Sequence, residues 1–205
     1  MTKKPQPGDN ETYERILAAA GALFLARGYE AVSLRAIGEA VGMEHASLYY
    51  YARGGKKQLY IDVLETTLKR HRAGIADAIA GAGDDLRDQL RAVGRWLVSQ
   101  PPLDMSRVIQ MDASAIGAEA AARLSRLAND ALREPLVAAL RRARAHEQIT
   151  LRNLDMAALA FLTLVEVVHR VPAGANKLPM EAYLDELIEM LMLGWVGRND
   201  ARAMD

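Results

Sequence analysis

The stretch His45-Ala46-Ser47-Leu48-Tyr49-Tyr50-Tyr51 gathers, within about two helical turns, side chains suited to reading a nucleic-acid groove. His45 and Ser47 can hydrogen-bond base edges, Ala46 and a tyrosine ring edge can touch a thymine methyl, and tyrosine hydroxyls can bond phosphate. Burying Leu48 leaves His45, Ala46, Ser47, Tyr49 and Tyr51 pointing largely outward. One of the three tyrosines is expected to pack inward, Tyr50 first among them. The competing reading makes residues 49–51 a core aromatic cluster. Taken alone, Ser33 or His45 is more often structural than functional.

Other chemistries find little support. The four histidines, at positions 45, 71, 146 and 169, are scattered without metal-ligand spacing, so no metal and no cofactor is expected. The absence of cysteine excludes a disulfide scaffold and any Cys-based metal or redox site. The chain has no Gly-rich phosphate loop, no nucleophile elbow, and no Glu-x-x-His pair repeated on two helices as di-iron bundles need. The chain is therefore expected not to be an enzyme, and an all-helical enzyme is the remote alternative.

The elements that must hold His45–Tyr51 are all helical by pattern. Prolines and glycines punctuate the chain, no β-type alternation persists, and no internal repeat stands out. The expected fold is all-α: an N-terminal helix-turn-helix three-helix domain plus a C-terminal helical bundle domain, about nine helices in all. Residues 1–9 read as a disordered polar tail, with Lys3 and Lys4 solvated rather than forming a minor-groove arm. Residues 10–58 read as the helix-turn-helix DNA-binding domain and residues 59–205 as a second, helical domain.

The first helix is predicted from about Asn10 or Thr12 to Arg27. Its Ile16, Ala20, Leu23 and Phe24 fall on one stripe, and Gly28 stops it. Ser33 is a credible N-cap for a second helix over 34–41, whose Leu34, Ile37 and Val41 share a face. Gly42 follows where a tight turn wants a positive φ. A third short helix is predicted over 45–51. Gly54 and Gly55 break the chain before a long fourth helix that runs from near Lys56 to about Ala80. Two short helices across a glycine turn make a helix-turn-helix, whose second helix enters the major groove.

Taken together, Tyr13-Glu-Arg-Ile-Leu, Leu23-Phe24, Gly28-Tyr29, Ser33-Leu-Arg-Ala-Ile37, Val41-Gly42, Leu48-Tyr49-Tyr50 and Lys56 resemble the N-terminal domain of the TetR (tetracycline-repressor-like) family. The resemblance implies that Arg35 on the second helix approaches DNA. It implies that His45, Ala46, Ser47 and Tyr49 read bases, and that Ser33, Tyr50 and Tyr51 touch the backbone. It also implies that Lys56 or Lys57 meets a phosphate at the start of the fourth helix, where free N–H groups favour an anion. Three positions depart from the family pattern. Glu44 stands in place of a small hydroxyl cap, Ala52 replaces a common aromatic, and the Ala52-Arg53-Gly54-Gly55 turn is one residue longer. Beyond residue 65 only the architecture resembles the family, as a variable helical domain that dimerises and holds a ligand cavity.

In that back half, Gly81-Ala82-Gly83 is a linker and Asp84 or Asp85 can cap a fifth helix reaching Gln100. A sixth helix is predicted over 103–116. A seventh spans 118–146, kinked or divided by Pro135. The eighth, 155–171, is apolar almost all round and should be buried on several sides. The ninth, 180–196, carries the stripe Tyr183, Leu184, Leu187, Ile188, Leu191 and Trp195. The last two helices offer more apolar surface than a monomer easily covers, so a homodimer through 155–171 and 180–196 is expected, as a four-helix bundle. Two-fold symmetry would then set two readers about 34–36 Å apart on a palindromic operator in double-stranded DNA.

Candidate cavity-lining residues are Trp96, Met105, Ile109, Met111, Ile116, Leu127, Phe161 and Val165, with Gln110, Asp112, Glu166 and His169 as polar anchors. Side chains of these types at helical spacing are more often plain core. Glu166 and His169 share a helix face and serve equally well as a ligand pair or as a satisfied pair at the dimer interface.

Composition agrees with this reading without proving it. The 205 residues are 51% hydrophobic and 25% charged, enough for a sizeable core. Lysine and arginine total 26, as do aspartate and glutamate, which argues against a nonspecific nucleic-acid coat protein. Residues 1–58 lean basic, eight against six. No apolar run reaches the roughly 18 residues a membrane span needs, and no apolar stretch follows Lys3 and Lys4 as a secretory signal would require. No membrane association and a cytoplasmic location are expected. The functional expectation is a repressor released from its operator by a small, largely apolar effector. The alternative is a ligand-independent DNA-binding dimer controlled by a protein partner.

Overall fold

A computed structural model describes residues 7–103, 113–169 and 179–196. All regular structure among them is helical, as the sequence pattern predicts. The helices are α1 (Pro7–Ala31), α2 (Leu34–Val41), α3 (His45–Tyr51), α4 (Gly55–Gly81), α5 (Leu86–Ser99), α6 (Ala113–Ile116), α7 (Ala118–Ala128), a π-helical turn (Asn129–Arg133), α8 (Glu134–Ala145), α9 (Leu154–His169) and α10 (Met180–Trp195). Helix α1 begins at Pro7, three residues earlier than the spacing predicts. Proline suits a first helical turn, where its fixed φ is helical and its missing N–H costs no bond. Lys3 and Lys4 lie outside the described residues.

The chain divides into two compact units, Met1–Thr67 with Met105–Arg126 and Leu68–Asp104 with Leu127–Asp205. In the first unit, Ile16, Leu17, Ala20 and Phe24 of α1 are buried together with Ile37, Leu48, Leu59, Tyr60, Val63 and Leu64. Each fully buried aliphatic or aromatic side chain of this size contributes about 1.5–3 kcal/mol. Gly28 breaks the path of α1 with φ 78° and ψ 164°. The break turns Tyr29 and Val32 back into the core, where Tyr29 meets Phe24 at 6.0 Å and Tyr60 at 4.9 Å between ring centroids. Glycine populates such positive φ at no steric cost.

In the second unit, Ile75 of α4, Leu90 and Val93 of α5, Leu136 and Leu140 of α8, Phe161 and Val165 of α9, and Leu184 and Ile188 of α10 form one core. Asp85 caps α5 by accepting from the Asp88 N–H at 3.2 Å. The Gln148 side chain closes the same end, accepting from the Leu86 N–H at 2.9 Å and donating to the Asp84 carbonyl at 3.0 Å.

The long helix predicted over 118–146 is divided, as Pro135 requires. Pro135 sits in the first turn of α8 and has no N–H for the carbonyl four residues back. The chain absorbs the loss by widening: the Glu134 N–H donates to the Asn129 carbonyl, five residues back. The helix predicted over 103–116 is described only as Ala113–Ile116; residues 101–103 are not helical and 104–112 lie outside the described residues. Helix α9 departs from expectation in one respect. It was expected to be buried on several sides, yet Met156, Leu159, Thr163 and Val167 are exposed at i, i+3, i+7 and i+11, a single stripe. On α10 the buried line is Leu184, Ile188, Met192 and Trp195, while Tyr183, Leu187 and Leu191 are half-buried at its edge.

Candidate nucleic-acid interface

The reader is built from the turn outward. Ser33 has extended backbone and its Oγ accepts from the Ala36 N–H at 3.1 Å, so it caps α2. Helix α2 ends at Gly42, whose φ of 69° lets the Gly42 and Met43 N–H groups fold back onto the carbonyls of Glu39 and Gly38. That closure aims the chain into α3. Glu44 occupies the N-cap of α3 and makes no side-chain cap bond, as expected of a side chain too long for the task. Leu48 is fully buried and anchors α3 from below.

With Leu48 inward, helical geometry decides the rest. Ala46 and Ser47 are exposed, Tyr49 is 47% exposed, and Tyr51 is half-buried. Tyr50 is 49% exposed and is not the inward tyrosine. It stands two residues, about 200°, from Leu48, so it must face away from the core. The inward partner of Leu48 is Ala52, one helical turn on and 4% exposed. The Tyr50 and Tyr51 rings meet edge-to-face at 5.1 Å between centroids. His45 opens α3, and its side chain lies outside the described residues.

The basic groups differ in how free they are. Arg35 is exposed on α2 and its Nε donates to Glu39 Oε1 at 2.9 Å. Lys56 donates from Nζ to the Tyr29 and Glu30 carbonyls at 3.1 and 3.4 Å, and sits 4.2 Å from the Tyr29 ring centroid. Lys57 is exposed, with Nζ 3.4 Å from where a Cβ on Gly117 would stand. Sequence reasoning passed over Arg53. Its Nε donates to the Tyr50 carbonyl at 3.3 Å and its guanidinium lies over the Tyr50 ring at 5.1 Å. The signal was available: a basic residue three positions after an exposed aromatic, on the way out of a reader helix.

Sequence reasoning also missed two ties that position α4. Tyr13 Oη donates to Asp62 Oδ2 at 2.6 Å, and Arg123 of α7 pairs with Glu65. Both join residues far apart in sequence, so no local pattern announces them.

The expected cavity-lining residues are not gathered into one site by the described residues. Phe161 and Val165 are buried in the core of the second unit. Trp96 packs against Gly74, and its Nε1 is buried without a hydrogen-bond partner among the described residues. Glu166 and Leu127 are half-buried, and Ile116 is buried in the first unit. Met105, Ile109, Gln110, Met111 and Asp112 lie outside the described residues, as does the His169 side chain. Among the described residues, no group of three His, Cys, Asp or Glu side chains could hold a metal, and no helix is long and apolar enough to cross a membrane.

A capped positioning helix, a left-handed glycine turn and an outward-facing reader held by one buried leucine define a helix-turn-helix DNA-binding unit. Residues 16–63 match the model of the bacterial regulatory proteins of the tetR family. The chain is similar to the HTH-type transcriptional regulator LmrA of Bacillus subtilis (strain 168), 36% identical over 74 residues. That match covers 36% of this chain and 39% of LmrA, so the chain spans well under half the length of this curated relative.

Its fold is that of solved regulators. AibR, solved in complex with isovaleryl coenzyme A and operator DNA, is 22% identical with a TM-score of 0.72, over 88% of this chain and 98% of AibR. The fatty acid degradation regulator FadR from Bacillus halodurans is 18% identical with a TM-score of 0.72, over 94% of this chain and 98% of FadR. At these identities the likeness is one of fold.

Proposed function

We propose that this chain is a sequence-specific DNA-binding transcriptional regulator, a repressor that leaves a palindromic operator when a small, largely apolar effector binds. The observation that carries the reading is the outward face of α3, where Ala46, Ser47, Tyr49 and Tyr50 are all exposed above buried Leu48. His45, Ala46, Ser47 and Tyr49 read bases. Ser33, Tyr50 and Tyr51 touch the backbone, and Arg35 approaches it. Of the two lysines at the start of α4, Lys57 is the one assigned to phosphate, because Lys56 is already bonded within the unit. Residues 10–58 are the reader and residues 59–205 carry dimerisation and effector binding.

The homodimer forms through α9 and α10. Met156, Leu159 and Val167 on α9, with Met190 and Leu193 on α10, are large apolar side chains exposed in the single chain. Packing them against the same helices of a second copy makes a four-helix bundle with two-fold symmetry. The effector binds in the second unit, with Trp96 among its contacts. Its buried indole N–H lacks a partner among the described residues, a state that costs about 1–3 kcal/mol until an acceptor meets it. AibR's complex with isovaleryl coenzyme A and operator DNA supports a fold of this kind serving both ligands. Release requires the effector to bind the DNA-competent and DNA-incompetent conformations with different affinity.

The test is a polarisation titration of the full chain with duplex DNA taken from upstream of its own gene, over a series of salt concentrations. Saturable, salt-sensitive binding that competitor DNA of random sequence does not displace supports the reading. Absence of such binding on every palindrome in that DNA rules it out.

A further inference from the structure

We propose that Arg53 is a phosphate-binding residue at the trailing end of the reader helix, and that Lys56 is a structural staple. The proposal rests on the DNA-binding reading above.

Arg53 leaves α3 immediately after Ala52 and folds back over it. Its Nε is spent on the Tyr50 carbonyl at 3.3 Å, and one face of its guanidinium lies on the Tyr50 ring at 5.1 Å. Tyr50 is itself braced edge-to-face by Tyr51. The three side chains form a stack on the outer surface of the reader, with Arg53 and Tyr50 exposed and Tyr51 half-buried. At an exposed site the cation–π contact is worth about 0.5–1 kcal/mol. That is enough to bias the guanidinium toward one orientation without removing it from solvent.

The stack engages Nε and the planar face of an exposed guanidinium, and neither contact uses the two terminal nitrogens. Among the described residues no carboxylate pairs with them. A guanidinium presents its N–H groups as a rigid fork that matches two phosphate oxygens, and less rotamer freedom is lost when that fork is held in place beforehand.

The neighbouring cations are differently placed. Arg35 is paired with Glu39. Lys56 has two carbonyl acceptors and an aromatic face around its ammonium, and it ties the first turn of α4 to the segment that follows Gly28. Pulling Lys56 toward a phosphate would leave the Tyr29 carbonyl with the Val32 N–H at 3.3 Å, take the Nζ donor from the Glu30 carbonyl and lift the ammonium off the Tyr29 ring. One of the two lysines expected at a phosphate thus has a folding task, and the Gly-rich turn before it supplies a further cation, Arg53.

The experiment uses the full chain, the upstream duplex and a random-sequence duplex of equal length, with affinity measured across a salt series. Arg53→Gln is expected to weaken binding to both duplexes roughly tenfold and to flatten the log–log salt dependence by about one per reader, with the melting temperature lowered by no more than about a few degrees. Arg53→Lys is expected to keep the slope but recover only part of the affinity. Lys56→Gln is expected to lower the melting temperature and leave the slope of the folded protein intact.

A wild-type slope in Arg53→Gln overturns the proposal, and so does loss of slope in folded Lys56→Gln. Either result leaves the regulator reading standing, because the wild-type chain would still bind. Failure of the wild-type chain to bind either duplex overturns both.

Discussion

Tyr13 on α1 donates its hydroxyl hydrogen to Asp62 on α4 across 2.6 Å, while Gln58 donates to the other carboxylate oxygen at 2.8 Å. Burial of the phenol, then its hydrogen bond to Asp62 and the carboxylate's negative charge, hold the Tyr13 pKa well above its ordinary value of 10.0. The folded state therefore favours the protonated phenol. Its stabilising contribution is fully present below pH 10.0 and is lost as pH rises through the raised value. Tyr13→Phe is expected to lower unfolding free energy by about 1 kcal/mol at neutral pH and to reduce the alkaline loss. Denaturant unfolding at neutral and strongly alkaline pH measures both; an unchanged alkaline limb would remove Tyr13 as its source.

Glu39 holds the Arg35 guanidinium on the exposed face of α2. Exposed pairs of this kind are worth up to about 1 kcal/mol, so releasing Arg35 shifts DNA affinity by no more than about fivefold. Glu39→Gln is expected to tighten binding to operator and random duplex alike, with a steeper salt dependence. Weaker binding would mean that Glu39 positions Arg35 rather than competing for it.

Ser33 has two tasks that a pair of variants separates. Ser33→Ala removes the α2 cap and is expected to cost about 1 kcal/mol of stability. Ser33→Asp keeps a capping oxygen but adds a charge where the backbone is expected to lie. It is expected to retain thermal stability and lose DNA affinity. Equal DNA affinity in Ser33→Asp and wild type would leave the cap as the only role of Ser33.

Two glycines in the second unit make a graded comparison. A Cβ on Gly74 would stand 2.0 Å from Trp96 Cε2, a rigid ring atom, whereas one on Gly94 would meet the flexible end of Leu184 at 2.5 Å. Gly74→Ala is expected to destabilise by about 1–3 kcal/mol and to disturb Trp96 fluorescence. Gly94→Ala is expected to cost less, because Leu184 can change rotamer. The reverse order in urea unfolding would contradict the packing described.

Leu193 is 78% exposed and lies on the same face of α10 as Met190. If the proposed homodimer forms through this face, Leu193→Glu is expected to weaken it by more than tenfold in concentration, without unfolding the second unit. Sedimentation equilibrium reads the shift, and an unaltered dimer would move the interface elsewhere.

Local pattern made much of the fold legible. Ile16, Ala20 and Phe24 fall on one stripe, Ser33 is a cap, Gly42 is a left-handed turn and Pro135 divides a helix, each because its cause lies within a few residues in the chain. The direction of Leu48 was legible for the same reason. What escaped depended on partners distant in sequence. Tyr50 was expected inward because an aromatic is a favoured core residue, but its phase on α3 is fixed by Leu48 and by the small Ala52 behind it. The choice between Lys56 and Lys57 as phosphate ligand stays open in the sequence, because nothing near Lys56 shows the Tyr29 and Glu30 carbonyls 27 and 26 residues away.

The sequence by itself determined the helical class and the place of the helix-turn-helix in the chain, since periodicity, caps and turn glycines are short-range properties. Only the tertiary structure decided which cation is free and which is spent, which tyrosines face out, and that Tyr13 and Asp62 tie α1 to α4. Those outcomes follow from which side chains meet when helices pack, a matter of long-range geometry that spacing along one chain does not encode.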